Sequence, residues 1–449
     1  MKKFLLSLII TIFCIICSLS FENYYFIRPL NSNEVKNTVK YLSSDDFNGR
    51  LTGTLENYET INFIKNYFKD QNLIPYKNNY LQSFNVIYPR AVTGTPYLLV
   101  KDKNGFIVKQ YKYAIDYKED MVNFRYNNVS FKKGDNILWR GNNFQVQQGN
   151  NYFLFYNPQD DNVNFRSSFI SNSPHCMYIM IKKHTAQEIN NYINKGYEIS
   201  CFIPFEDEFT STYNVLGYIK GKNQNLPPLI LSAHFDHVGS DLAGTVYNGA
   251  LDNASGTSFL LGLVKYINSI GKPERNIIIA AFNAEEFGCL GSKNFVKQYK
   301  NDLKGSKVIN FDMIGSDKNV PISIMSGKFD TKNSSFVKEI AGLCNENKAN
   351  FKYTFENCSD HEYFRAYGID AVTLSDADMS RIHTPKDKSQ YINTKSIDRC
   401  FNIVSKEIDS FAFGRNPYIL YYKQLFIVSI IGLLLSTILY IKCTKNTNN

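Results

Sequence analysis

The sequence has no run rich in lysine and arginine, no interleaving of aromatic with basic residues and no internal repeat, although its net charge is +9. Scattered lysines give a generally basic surface, and a nucleic-acid groove is excluded as an organising feature. There is no G-x-S-x-G elbow and no P-loop, which removes the usual marks of serine hydrolases and nucleotide enzymes. His361-Glu362 has Arg365 where an H-E-x-x-H zinc motif needs its second histidine. Cys176, Cys201, Cys289, Cys344, Cys358 and Cys400 contain no C-x-x-C pair, so thiolates are not expected as metal ligands. In an oxidising compartment Cys344 and Cys358, the closest two of these in sequence, are the expected disulfide.

What is present begins with size. A chain of 449 residues, 44% hydrophobic and 15% aromatic, buries a large core and is too apolar for disorder. Met1-Lys2-Lys3 and the apolar FLLSLIITIFCIICSLS have the form of a secretory signal peptide over residues 1–20, with Ser18 and Ser20 as small residues before Phe21. Residues 425–441 (LFIVSIIGLLLSTILYI) are uncharged and reach the minimum of roughly 17 residues for a membrane-spanning helix. Tyr418, Tyr421 and Tyr422 precede this stretch as an interfacial belt. Lys442 and Lys445 follow it, which makes 442–449 a cytoplasmic tail. The expectation is a single-pass protein of the cell membrane with everything between these ends outside the cytoplasm.

Asn31-Ser32-Asn33-Glu34 reads as a capping box opening a helix through Leu42, and Glu56 to Lys69 as a second helix. Residues 88–212 alternate in short runs broken by Asn, Gly and Asp, which predicts a β-rich inserted module with one helix, His184 to Gly196. From Tyr213 onward strands and helices alternate, and the strands are nearly continuous apolar runs. This predicts an α/β domain built from 31–87 and 213–412 around a mixed, mostly parallel sheet flanked by helices.

Six residues of this domain lie where apolar strands run out into loops, or in the loops themselves. They are His234, Asp252, Glu285, Glu286, Asp312 and His383, in LILSAHFDH, NGALDNASG, IIIAAFNAEEFG, KVINFDMIG and SRIHTPKD. Taken singly, a histidine at a strand end is a polar boundary residue, and Glu285-Glu286 could be an acidic first turn of a helix. Ligands of parallel sheets bind beyond the carboxyl ends of the strands, however, and several of the six share that edge. A pair of zinc ions would gather them: Asp252 as the bridge, His234 and Asp312 on one ion, Glu286 and His383 on the other. Glu285 is then left to take a proton from the attacking water and deliver it to the leaving amine. Asp236, two residues after His234, can accept the other imidazole N–H and fix the ring. His237 and His361 are set aside as non-ligands.

The ordered set HFDH, LDNASG, NAEEFGCLGS, FDMIG and IHTPKD resembles the M28 family of zinc aminopeptidases. The likeness extends to YLSSDDFNGRLTGTLEN, YNVLGYIKG and SDHEYFRAYGIDAVTL, and covers about residues 31–87 and 213–412. It implies a zinc-exopeptidase fold and two Zn2+ ions held by His234, Asp252, Glu286, Asp312 and His383. It also implies Glu285 as general acid/base, peptide substrates with a free N-terminus, and a cis peptide between Asp252 and Asn253. The insert lies where relatives often carry a protease-associated domain, although no signature of one is visible. Some members place a tyrosine before the last zinc histidine; here that position is Ile382, which leaves Tyr363, Tyr391 or the metals to stabilise an oxyanion. Rival readings are a carboxypeptidase or a one-zinc glutaminyl cyclase on this scaffold, and a non-catalytic receptor. Oligomeric state is not legible.

Overall fold

The computed structural model describes residues 2–77, 79–317 and 319–445; the end of the expected tail, 446–449, lies outside the described residues. Asn31 caps the helix Ser32–Leu42, its side chain accepting from the amides of Asn33 and Glu34, and Val35, Val39 and Leu42 turn inward. Thr54 caps the helix Leu55–Asp70 in the same way. Both helices pack on one face of the central sheet, within the apolar core that the helix Gly256–Ile270 shares.

That sheet is mixed, as the alternation of elements predicts. Its inner strands Ile277–Phe282, Leu229–His234, Lys307–Phe311 and Asp370–Asp376 run parallel to one another. The first two are buried along their whole length, because helices cover both faces and leave no solvent side. Antiparallel neighbours flank them, Phe205–Ile219 on one side and Ile322–Ser326 on the other. An edge strand, Phe351–Phe355, was not foreseen. None of its residues is buried: Lys352 and Tyr353 are exposed and the others half-buried.

Strands Leu81–Ala91 and Phe205–Ile219 pair antiparallel from Leu81↔Val215 to Ala91↔Phe205. The expected module boundaries, 88 and 212, both fall inside this ribbon. Beyond it lie a five-stranded and a four-stranded sheet and the helix Lys183–Asn194. Their aromatic core, including Phe131, Phe144, Phe153 and Phe155, is continuous with Leu51, Val238, Tyr247, Ala284 and Phe287 of the α/β domain.

The apolar ends form two long helices, Lys2–Phe26 and Tyr422–Lys445, both long and apolar enough to cross a membrane. They pack against each other. Tyr24 stacks on Phe426 at 4.4 Å, and the Asn23 side-chain amide donates to the Tyr418 carbonyl at 2.9 Å. A Cβ on Gly432 would overlap the Phe13 ring, so this glycine permits the close approach. The first helix continues unbroken through Ser20 and Phe21. The expected Cys344–Cys358 disulfide is absent: both are free thiols. Cys344 points from its helix into the core, whereas Cys358 lies exposed beside Met325, 3.9 Å away.

Candidate metal centre

The parallel strands deliver their polar residues to one edge. His234 ends its strand, Glu285 and Glu286 follow Ile277–Phe282 after two residues, and Asp312 directly follows Lys307–Phe311. Asp252 comes from the turn Ala250–Ser255, which precedes the helix Gly256–Ile270, and the Asp252–Asn253 peptide is cis. Ala284, Met313 and His383 hold left-handed backbone angles (φ 57, 60 and 54°), uncommon for residues with a Cβ, and each carries or adjoins a donor.

The donors fall into two groups. In one, His383 Nε2 lies 3.0 Å from Glu286 Oε1 and 3.3 Å from Asp252 Oδ2. His237 Nδ1 joins it, 3.1 Å from Glu286 Oε1 and 3.7 Å from Asp252 Oδ2. In the other, His234 Nε2 lies 3.4 Å from Asp312 Oδ1, 3.6 Å from Asp252 Oδ1 and 3.9 Å from Glu285 Oε2. Two ligands about 2.1 Å from a tetrahedral ion stand about 3.4 Å apart, so these are the separations a metal would leave between its donors. Asp252 turns one oxygen to each group. Asp312 Oδ1 is buried without a hydrogen-bond partner, as an atom waiting for a cation would be.

The charges agree. Burial pushes the Glu285 carboxyl well above its usual range against the pull of His234, and Glu286, Asp312 and Asp360 push it further. Burial opposes ionisation of Glu286 too, but His383 and His237 hold it well below the carboxylate range. For His234 and His383 burial disfavours the cation, yet the surrounding carboxylates raise both imidazoles well above normal. A cluster that draws protons onto its imidazoles is one whose negative charge a divalent cation would neutralise.

Supporting bonds hold each donor. Asp236 accepts from the amides of Glu285 (3.1 Å) and Glu286 (3.2 Å), which holds the diglutamate turn, and its Oδ1 faces His234 Nδ1 at 3.6 Å. Asp387 accepts from the amides of Leu251 and Asp252, and Ser359 donates to Asp312 Oδ2 at 2.8 Å. Ser168, from the inserted module, donates to Glu286 Oε2 at 2.6 Å. His361 spends both ring nitrogens on Thr373 and the Glu356 carbonyl, away from the donors. Tyr363 directs its hydroxyl to the Gly288 carbonyl, and Tyr391 lies half exposed under Arg381.

All the residues singled out in sequence therefore meet at one place. His237, set aside in the sequence as a non-ligand, instead joins the group of Asp252, Glu286 and His383, and three partners were not singled out there: Asp387, Ser359 and Ser168. His237 and Asp387 do lie inside the motifs, in HFDH and IHTPKD, where their acid–imidazole composition was a usable signal. Ser168 carries none, because its role depends on a distant segment folding over the site.

A parallel sheet with nitrogen and oxygen donors gathered at its carboxyl edge, a proton-accepting carboxylate beside them and no nucleophilic serine or cysteine elbow defines a metal-dependent exopeptidase. Residues 214–408, somewhat under half of the chain, match the model of peptidase family M28. Aminopeptidase YwaD of Bacillus subtilis (strain 168) is 24% identical over 320 residues, covering 68% of this chain and 67% of its own length. Among solved structures, the aminopeptidase from Aneurinibacillus sp. strain AM-1 superposes with a TM-score of 0.61 at 16% identity, over 87% of this chain and 96% of that one. A zinc aminopeptidase from Bacillus subtilis gives 0.59 at 16% identity, over 86% and 97%. These two likenesses are of fold.

Proposed function

We propose that this protein is a zinc-dependent aminopeptidase that removes N-terminal residues from peptides, with two zinc ions sharing Asp252. The observation that carries this reading is the Asp252 carboxylate, whose Oδ1 faces His234 while Oδ2 faces His383. His234 and Asp312 would hold one ion, and Glu286 and His383, joined by His237, the other. Bound zinc supplies a Lewis acid for the scissile carbonyl and lowers the pKa of water. Glu285 stands beside the donors with its side chain 14% exposed, the most open of the set, so its carboxylate can receive a proton from water and return it to the leaving amine. Asp236 keeps His234 in one ring orientation and holds the backbone that presents Glu285.

A carboxypeptidase would need a free cation for the terminal carboxylate. Arg50 commits its guanidinium to the carbonyls of Leu42, Phe235, Asn248 and Gly249, and Arg166 is bound to Glu119 and the Val238 carbonyl. The acidic surroundings of Glu285 suit an ammonium terminus instead. The catalytic domain is placed outside the cytoplasm, anchored by the helix Tyr422–Lys445 with its lysine flank inside. The packing of Lys2–Phe26 along that helix favours a leader that stays attached over one that is cut at residue 20.

Hydrolysis of a panel of aminoacyl chromogenic substrates, lost with chelator and restored by zinc, is the expected result. Cleavage of N-acetylated but not C-amidated peptides would overturn the aminopeptidase assignment. A zinc content of one ion per chain in active protein would overturn the shared Asp252.

A further inference from the structure

We infer that the inserted module is a working part of the metal centre, with Ser168 as a positioning residue for Glu286; this rests on the proposed pair of zinc positions. Residues 165–169 form an irregular strap of the module that lies across the site. Its backbone and side chains are bonded on both sides. Toward the catalytic domain, the amide of Arg166 donates to the His383 carbonyl at 3.2 Å, and that of Phe169 to the Glu286 carbonyl at 2.8 Å. Ser168 Oγ donates to Glu286 Oε2 at 2.6 Å, and the Phe165 ring stacks on His383 with centroids 5.8 Å apart and 29° between planes. His383 and Glu286 are donors of the same group, and on this side the Arg166 guanidinium also donates to the Val238 carbonyl at 3.0 Å while Phe169 packs on Phe287 at 5.1 Å.

Toward the module, Ser167 bonds Asp120 through its amide (2.6 Å) and hydroxyl (2.7 Å), and Asp120 is held in turn by the Tyr156 hydroxyl. The Arg166 guanidinium pairs with Glu119 at 2.9 Å, both side chains fully buried. A buried pair of this kind fixes geometry, since neither charge can leave its partner without being stranded. The strap is thus bonded to both domains, and its grip on Glu286 has one chemical consequence. A carboxylate whose Oε2 accepts from Ser168 presents Oε1 alone toward His383 and His237, as one ligand atom of fixed direction.

The test uses the full-length protein in detergent, stripped of metal and titrated with zinc against a competing chromogenic chelator. The step lost in Glu286→Ala marks the position that Glu286 serves, and the step lost in Asp312→Ala marks the other. Ser168→Ala is expected to weaken the first step about tenfold to a hundredfold and leave the second unchanged, with Ser168→Thr restoring it. Phe165→Ala is expected to weaken the same step, which keeps the inference testable if Ser168→Ala does not fold. Wild-type binding in both variants, or equal weakening of both steps, would overturn it. A wild type that binds a single zinc defeats the paired reading instead, and the Ser168→Ala shift still reports on the role of the strap.

Discussion

The two donor groups around Asp252 are built differently. The group of His237, Asp252, Glu286 and His383 offers four protein donors, every one of them buried, and the strap of the module closes over it. The group of His234, Asp312 and Glu285 also meets Asp252; its Glu285 is the most open donor at 14% exposed, while Asp312 and the first group's His383 are alike at 11%. A closed set of four suits a metal held for structure, and an incomplete set with an exposed side suits one that handles water and substrate. On the proposed two-zinc reading, one centre would divide holding from reacting, with Asp252 as the carboxylate that both halves use.

The largest effect should come from Glu285→Gln, which keeps the shape of the open half and removes its proton acceptor. Turnover is expected to fall by about a hundredfold to ten-thousandfold with zinc content unchanged, and near-normal kcat would end its assigned role. Asp252→Asn should break both halves together. Metal analysis after dialysis is expected to show both ions lost more readily, beyond the roughly hundredfold change in affinity that follows loss of a supporting hydrogen bond. His237→Ala should separate the halves, weakening one zinc step about tenfold to a hundredfold and sparing the other. Equal effects on both steps would mean that the closed half is not distinct.

The smallest expected effect lies away from both groups and serves as their control. Burial raises Asp409 from 3.8 to about 7, with the Tyr266 hydroxyl opposing the shift. The folded state then holds this proton more tightly than the unfolded state. Its contribution to stability is complete below about 4 and is lost as pH rises through about 7. Asp409→Asn should flatten the fall in melting temperature across that window and leave zinc binding unaltered. An unchanged pH slope would show that Asp409 ionises normally.

The open half was the more legible in sequence. His234, Glu285 and Asp312 sit at or just past the ends of continuous apolar strands, so strand pattern and sheet topology alone bring them together. The closed half was legible only in part. His237 follows a residue, Asp236, whose alternation suggested a supporting role, and nothing in HFDH tells which of its two histidines faces which group. Ser168 was hidden for a different reason. It lies in a segment without strand or helix, more than a hundred positions from Glu286, and only the ribbon and shared aromatic core bring it there. The expected disulfide failed on side-chain direction, which spacing does not report: Cys344 faces the core and Cys358 the solvent.

The paired terminal helices have a mechanical consequence. Lys2–Phe26 is followed at once by Ile27, already buried in the catalytic core, and the amide of Arg28 bonds Ser269 at 2.9 Å. At the other end Phe413 is in that same core, and residues 414–421, with the short helix Pro417–Leu420 among them, join it to Tyr422–Lys445. A span of a few residues reaches only about 3.5 Å for each of them. The catalytic body therefore has no stalk on which to swing. Were both helices to cross a membrane, the body would be held twice at one end, at a fixed height and tilt.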